Sequence, residues 1–204
     1  MAERARTYHH GDLRASLVEE AAAMISEGGA ASVTMRAIGS RLGVSRGAPY
    51  RHFPDKTALL VAVAVAGFKR LNRRLGSGDA GASSSSVERL RRMGEQYVRF
   101  ALEHPAHYRL MYGKEALARQ DQPELRKAAG ALLENLIDVI RVHQQRGEIE
   151  GGDPRAQAYV AWSAVHGLAS LLIERQIDPN VDVDDLIRQT TQTILDGMRD
   201  RSQD

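Results

Sequence analysis

A short basic segment over residues 45–52 carries the side chains best suited to binding a polyanion. It reads SRGAPYRH and holds two arginines, a histidine, a tyrosine and a serine. Arginine donates two hydrogen bonds to the edge of a guanine, and hydroxyl, imidazole and cationic groups hydrogen-bond phosphate oxygens. Gly47 adds no bulk in a DNA groove, and the methyl group of Ala48 can meet a thymine methyl. The pattern predicts that double-stranded DNA is contacted by Ser45, Arg46, Gly47, Ala48, Tyr50, Arg51 and His52.

The preceding residues predict the element that presents this segment. Thr34 is a favoured N-cap for a helix over 35–42, Gly43 ends that helix, and Ser45 can cap a second one. Two short helices joined by a glycine turn form a helix-turn-helix, whose second helix enters the major groove. Pro49 cannot donate a hydrogen bond to the Ser45 carbonyl, so we expect the second helix to be short and distorted.

Three neighbouring residues extend the predicted DNA-binding surface. Thr34 lies at a helix start, where a hydroxyl and free backbone N–H groups can hold a phosphate oxygen. Lys56 is a cation in the first turn of the next helix, where the helix dipole disfavours it unless a phosphate lies nearby. Arg36, like Arg51, can reach a base or a phosphate, and a solvated surface position is the equal alternative. The ring of Tyr50 can also pack against the same domain.

A wider set of residues spans this region: Thr34, Val44, Ser45, Gly47, Tyr50, His52, Phe53, Lys56 and Leu59. Their types and order resemble the signature of the TetR family of transcriptional regulators. Further along, the run AWSAVHGLASLLIE, with Trp162, His166 and Gly167, resembles the Trp-His-Gly pattern of one subgroup of that family. The resemblance implies a homodimeric, ligand-controlled DNA-binding protein, with repression as the usual outcome.

Helical spacing of apolar residues recurs along the rest of the chain and predicts an all-α protein of about nine helices. The expected domains are a helix-turn-helix head over 1–54, a connecting helix over 55–75 capped by Asp55, and a ligand-binding and dimerisation domain over 76–204. A mobile Gly- and Ser-rich loop is expected over 76–86, followed by a helix with a Ser85 and Glu88 capping box. The other helices are expected over 11–27, 106–112, 123–147, 154–175 and 183–199.

Charge and composition narrow the class of protein. Residues 1–75 hold 12 Lys and Arg against 6 Asp and Glu, whereas the remainder hold 16 against 20. A basic head suits DNA, although a solvated basic face is the plain alternative, and the acidic body argues against a protein that coats DNA throughout. The chain has no cysteine, no run of about eighteen apolar residues and no apolar leader, so we expect a cytoplasmic protein without membrane contact.

Aromatic and thioether side chains concentrate in the body. They combine soft apolar bulk with a few polar tips, which is the composition of a small-molecule pocket, although ordinary core packing gives the same pattern. The candidate ligand-binding residues are Met93, Tyr97, Phe100, Tyr108, Met111, Tyr112, Trp162 and His166. Trp162 and His166 lie one helical turn apart, either as ligand contacts or as a structural pair whose imidazole hydrogen-bonds a buried partner.

One short helix reads only a few base pairs, so specific DNA binding requires two heads about 34 Å apart on a palindromic operator. The family resemblance places the homodimer interface on the last two long helices, where small residues permit close contact: Ala158, Ala161, Ala164, Gly167 and Ala169.

An enzyme is the competing class. His9, His10 and Asp12, or the pair His104 and His107, contain metal-ligand types, but Asp12 or His10 also suits a helix cap and Pro105 interrupts the second pair. The sequence contains no nucleophile elbow, Gly-rich phosphate loop or paired-carboxylate motif. We therefore expect no catalytic residue, no metal and no cofactor.

Overall fold

The computed structural model describes residues 12–76, 86–113 and 122–199, and these form eight α-helices and one 3₁₀ turn. Within those ranges, the one β-type pairing is an isolated antiparallel bridge between Ile149 and Arg199. The all-α prediction is confirmed. The elements are α1 (Leu13–Ser32), α2 (Met35–Arg41), the 3₁₀ turn (Pro49–Arg51), α3 (Lys56–Gly76), α4 (Ser86–Glu103), α5 (Pro105–Tyr112), α6 (Pro123–Gln145), α7 (Pro154–Ile173) and α8 (Val183–Met198).

Short polar side chains begin five of these helices, because a side-chain oxygen satisfies a backbone N–H that has no partner within the helix. Thr34 Oγ1 accepts from the Ala37 N–H at 3.1 Å, and Asp55 Oδ1 accepts from the Ala58 N–H at 2.8 Å. The same role is filled at α1, α7 and α8 by Asp12, Asp153 and Asp182. The predicted helix starts at these residues are confirmed.

The first helix does not end at Gly28 and Gly29, as predicted, but is interrupted there and then continues. Gly29 has φ 72° and ψ 176°, outside the helical region, and a further turn continues to Ser32. The Ser32 hydroxyl donates to the Gly29 carbonyl at 2.7 Å, and this hydrogen bond stabilises the final turn after the break. Glycine suits the position because a Cβ atom disfavours a positive φ.

The chain divides into two compact units. The first is Met1–Gly67 with Ala106–Leu125, and the second is Phe68–Pro105 with Arg126–Asp204. The division passes within α3 and assigns α5 to the first unit, which the sequence pattern did not anticipate. The boundaries expected at residues 54 and 75 stay a prediction.

The first unit has an apolar core shared by its helices and the segment after α2. Leu17, Ile25, Ile38 and Phe53 are among its buried side chains. Arg41 holds α2 to α1 at the surface, with ion pairs to Glu20 at 2.8 Å and to Glu27 at 2.9 Å. The hydrogen bond from Arg41 lowers the pKa of the Glu27 carboxyl. Because Arg41 and Glu27 are exposed to solvent and Glu20 is partly buried at the surface, solvent screens these pairs and most of the stabilisation comes from the apolar core.

The second unit packs α4 against α7 and α8. A glycine permits the closest approach, since a Cβ atom on Gly94 would lie 2.8 Å from Thr191 Cγ2 and 3.4 Å from Val165 Cγ1. Thr191 is buried, and its hydroxyl donates within its own helix to the Ile187 carbonyl at 3.0 Å. Its polar group is therefore satisfied without a partner on α4.

Some sequence predictions lie outside the described residues. These are the mobile character of residues 77–85, the capping role of Ser85, and the alternative roles of His9 and His10.

Candidate DNA-binding surface and ligand site

A sharp turn after α2 directs the chain into the 45–52 segment. Gly43 adopts φ 66°, a left-handed conformation that glycine tolerates, and the Val44 N–H donates to the Gly39 carbonyl at 2.9 Å. A Cβ atom on Gly39 would lie 3.3 Å from Pro49 Cγ, so this glycine lets the segment pack directly on α2. The helix-turn-helix arrangement therefore rests on two glycines with different roles.

The 45–52 segment is a series of tight turns rather than the predicted second α-helix. Two of its hydrogen bonds span three residues, from the Ala48 N–H to the Ser45 carbonyl at 3.0 Å and from the Arg51 N–H to the Ala48 carbonyl at 3.3 Å, and a four-residue bond forms only at its end, from the Phe53 N–H to the Pro49 carbonyl at 3.0 Å. Pro49 has no N–H, so it cannot form the four-residue bond that an α-helix needs at this place. The expected shortening and distortion at Pro49 are confirmed, and the regular part is the 3₁₀ turn.

Two predictions for this segment are wrong. Ser45 does not cap a helix with its hydroxyl, because the 3₁₀ turn begins at Pro49 and is preceded by Ala48, which has no capping side chain. Ala48 is only 3% exposed, so its methyl group belongs to the core and cannot meet a thymine. Three-residue hydrogen bonding rotates the side chains differently from an α-helix, and this places Ala48 and Pro49 inward.

The other predicted DNA contacts lie at the surface. Tyr50 is 56% exposed, so its hydroxyl and part of its ring are accessible to a partner. Lys56 is half-buried, and its Nζ donates to the Ala31 carbonyl at 3.4 Å, so its ammonium group is held near the end of α1. The remaining exposed residues are Thr34, Arg36, Ser45, Arg46, Gly47, Arg51 and His52.

Among the described residues, three arginines of this surface are not held by carboxylates, whereas several arginines elsewhere in the chain are. Arg41, Arg74 and Arg155 each bind a carboxylate. Arg36 and Arg46, like Arg51, make no ion pair in the part of the chain that the structure describes. Unpaired guanidinium groups on one small unit form a cationic surface that can attract phosphate.

The second unit contains a hydrogen-bonded polar cluster of Tyr97, Trp162 and His166. The Trp162 indole N–H donates to Tyr97 Oη at 3.0 Å, and Tyr97 Oη lies 3.0 Å from His166 Nδ1. The hydroxyl accepts from the indole and forms a second hydrogen bond with Nδ1 of the imidazole, whose direction depends on the tautomer of His166. Burial lowers the pKa of His166, so the neutral imidazole is favoured.

This cluster joins three of the eight candidate ligand-binding residues. Tyr97 is 3% exposed, so His166 has the buried hydrogen-bond partner that the structural alternative required. Met93 and Phe100 are buried in the same unit, whereas Tyr108, Met111 and Tyr112 lie on α5 in the first unit. The Tyr108 and Tyr112 rings contact each other, with centroids 4.9 Å apart. Five of the eight residues therefore belong to the second unit and three to the first.

The surface of the second unit also has a polar groove of about 600 Å³, which is lined by residues of α4 and α8. Its lining residues are Arg91, Asp185, Arg188, Gln189 and Gln192. None belongs to the predicted ligand set.

The two histidines of the second metal-ligand alternative belong to different units. Across residues 12–76, 86–113 and 122–199, no three His, Cys, Asp or Glu side chains are grouped as metal ligands. His107 Nδ1 lies 3.4 Å from Ser26 Oγ in the first unit, whereas His104 contacts the Phe100 ring in the second. Burial is the main cause that lowers the pKa of His104.

Helix α7 exposes an apolar face that differs from the predicted dimer contacts, because Ala158, Ala161 and Ala169 are buried within the single chain. Val160 is 65% exposed and Leu171 is 41% exposed. An 18-residue window of this helix has a mean hydropathy of 1.2, yet only 28% of it is buried, and by length and composition alone it could cross a membrane. The scarcity of charged residues after Arg155 was the available signal.

Comparisons with known proteins match both halves of the chain. Residues 17–63 match the family described as bacterial regulatory proteins, tetR family, and residues 90–194 match the tetracyclin repressor-like C-terminal domain. The HTH-type transcriptional repressor KstR of Rhodococcus jostii is 38% identical over 61 residues, which are 30% of this chain and 29% of that protein. The match therefore spans less than a third of this curated relative.

Solved structures match over nearly the full length. A protein of unknown function from Rhodococcus sp. RHA1 has a TM-score of 0.85 and 31% identity, with coverage of 96% of this chain and 100% of that one. The ketosteroid transcriptional regulator KstR2 of Mycobacterium tuberculosis has a TM-score of 0.62 and 20% identity, with coverage of 94% and 97%. Neither likeness names a Trp-His-Gly subgroup, and that finer resemblance stays a prediction.

Proposed function

We propose that this chain, which belongs to the tetR family of bacterial regulatory proteins, represses transcription as a homodimer on a palindromic operator and is released by a small apolar or aromatic ligand. The family makes the chain a DNA-binding transcriptional regulator. The operator, the dimer interface and the class of ligand are our proposals.

The exposed cationic surface of the first unit is the observation that carries the DNA-binding role. Arg46 is exposed beside Gly47, and nothing lies within 4 Å of the place where a side chain on Gly47 would begin. An arginine on a small, open turn can reach base edges, which would make Arg46 the main reader of sequence. Tyr50 and His52, with Lys56 and Thr34, would hold phosphates and set the register.

The apolar face of α7 supports the homodimer. Val160 and Leu171 leave apolar surface in contact with water, which is unfavourable. A second copy of the chain that covers this face would remove that surface from water. Pairing α7 and α8 with the same helices of another copy would form a four-helix bundle with an isologous interface. Tyr159 is also exposed on this helix. Gly167 would permit a helix of the second copy to approach closely, because it lacks a side chain.

The polar cluster in the second unit supports a ligand of mainly apolar character. The Tyr97 hydroxyl is already engaged by Trp162 and His166, and the neutral imidazole carries no charge for an ionic ligand. Met93 and Phe100 add apolar surface. A ligand that binds one conformation more tightly would shift the dimer away from its DNA-bound form by that difference in affinity.

We place this activity in the cytoplasm, where the operator DNA is accessible, and assign the chain no catalytic residue and no cofactor. The two relatives whose function is named above, KstR and KstR2, are transcription regulators, which favours this role over an enzyme.

Selection of bound sequences from a random DNA pool tests the proposed function. We expect an inverted repeat whose half-sites are separated by about one turn of B-DNA or a multiple of it. Replacing Arg46, Tyr50 and Lys56 together with alanine should abolish enrichment in a protein that keeps its helical circular dichroism. Arg126→Gln, which removes an exposed cation from the second unit, should leave the selected sequence unchanged. Enrichment of no sequence by the unaltered chain would contradict the proposal.

A further inference from the structure

Arg14, on α1, contacts the ring of Phe53, which directly follows the predicted DNA-binding segment 45–52. The Cζ atom of Arg14 is 5.0 Å from the centroid of the Phe53 ring. Phe53 is buried, whereas Arg14 is exposed on the first turn of α1. The guanidinium group therefore covers the outer side of a core residue that directly follows His52 in the chain.

This arrangement orients the guanidinium group without using its hydrogen-bonding capacity. A guanidinium group attracted to an aromatic ring keeps donor N–H groups available for a planar or tetrahedral anion. In the described residues, Arg14 has no ion pair and no hydrogen bond from its side chain. Arg41 in the same unit shows the contrast, because it is bound by both Glu20 and Glu27.

The position of Arg14 is unfavourable for a cation that only stabilises the fold. The first turn of an α-helix carries a partial positive charge, which repels a cation and attracts an anion. Asp12 caps this turn through the Ala15 N–H at 3.0 Å, but it forms no ion pair with Arg14. An external anion beside the guanidinium group would offset the repulsion and use the unoccupied donors.

We propose that Arg14 is a further phosphate contact of the DNA-binding surface, positioned by its contact with Phe53. The surface would then extend from Tyr50 and His52, which we assign to phosphate contacts, to the start of α1. The role is positional and electrostatic, so Arg14 adds affinity for any duplex and does not discriminate among base pairs. This inference rests on the proposed DNA-binding function.

Binding of a selected operator duplex over a range of salt concentrations tests the inference. Each lost phosphate contact reduces the slope of log affinity against log salt by about 0.9, so Arg14→Gln should reduce it by about 1.8 for a dimer. Arg14→Lys retains the charge and should keep the slope of the unaltered protein. Arg126→Gln, a matched loss of an exposed cation in the second unit, should also leave the slope unchanged.

The outcomes separate the inference from the proposed function. If Arg14→Gln binds with an unchanged slope while thermal unfolding shows an intact fold, Arg14 does not contact phosphate, and the DNA-binding function stands. If affinity falls equally for Arg14→Gln and Arg14→Lys with no change in slope, the contact with Phe53 is purely structural. If the unaltered protein selects no operator, the proposed function itself fails. A change in preference among operator sequences would contradict the phosphate assignment.

Discussion

The hydroxyl oxygen of Tyr97 lies 3.0 Å from Nδ1 of His166, although the two residues are 69 positions apart in the chain. The same oxygen accepts the indole N–H of Trp162 at 3.0 Å. One buried atom on α4 therefore satisfies two polar groups of α7. Because the chain has a single tryptophan, the fluorescence of Trp162 reports directly on this cluster.

We expect Tyr97→Phe to destabilise the protein by about 1–3 kcal/mol, because it leaves the indole N–H and the imidazole Nδ1 without their shared partner. The ring itself is retained, so packing changes little. Urea unfolding followed by Trp162 fluorescence measures the loss, and the emission maximum of the folded state should also shift. Tyr50→Phe, which removes an exposed hydroxyl in the first unit, should cost within about 0.5 kcal/mol. Equal stability of the two variants would show that the hydroxyl does not organise the cluster.

Stability should decrease as pH falls below about 6.5. Burial lowers the pKa of His166 below its ordinary value of 6.5, so the folded state takes up a proton less readily than the unfolded chain. The stabilisation is therefore complete above pH 6.5 and is lost as pH falls through the lowered value. Burial lowers the pKa of His143 in the same direction. Between pH 8 and pH 5, the urea midpoint should fall less steeply for His166→Gln than for the unaltered protein. Parallel pH profiles for the two proteins would show that His166 is not the origin of the effect.

Gly67→Ala should overpack the first unit. A Cβ atom on Gly67 would lie 2.8 Å from the sulfur and 3.3 Å from Cγ of Met111, so α5 must shift or Met111 must change rotamer. We expect a loss of about 1–3 kcal/mol in the free energy of unfolding. In a Met111→Ala background, which lacks the sulfur, Gly67→Ala should cost less than it does in the unaltered chain. An equal cost in the two backgrounds, measured by thermal unfolding, would place its origin elsewhere.

Gly47→Ala should separate DNA binding from folding. Apart from the neighbouring residues in the chain, no atom lies within 4 Å of the new Cβ position, and φ is not positive. The free energy of unfolding should therefore stay within about 0.5 kcal/mol of that of the unaltered chain. The added methyl group lies next to Arg46, where we expect the closest approach to DNA, and operator affinity should fall several-fold. Fluorescence anisotropy with a labelled operator measures the effect. Unchanged affinity would indicate that this turn does not enter the groove.

Val160→Glu should prevent dimerisation. The side chain is 65% exposed on α7, so the substitution leaves the monomer fold unaffected but would place like charges at a two-fold interface. Analytical ultracentrifugation should show a monomer, and operator affinity should fall with it. Val142→Glu, at another exposed apolar position, on α6, is the matched control and should remain dimeric. A dimeric Val160→Glu protein would exclude this face as the interface.

Local signals made much of the fold predictable from the sequence. Thr34 and Asp55, like Asp182, mark helix starts because one side-chain oxygen binds a backbone N–H two or three residues away. Gly43 marks a turn because its backbone needs a positive φ. These effects act within one helical turn, so the order of the helices and the general place of the DNA-binding surface could be inferred without any long-range contact.

Only the tertiary structure decided which side chains of those elements are accessible and which meet. Ala48 is buried because Pro49 replaces α-helical bonding with a tight turn, and the packing of Pro49 against Gly39 depends on two separate segments. The meeting of Tyr97 with His166, and the association of α5 with the first unit, depend on contacts between residues far apart in the chain. Apolar spacing shows that a helix has a face to bury, but the energy of burial is non-directional and does not specify the partner.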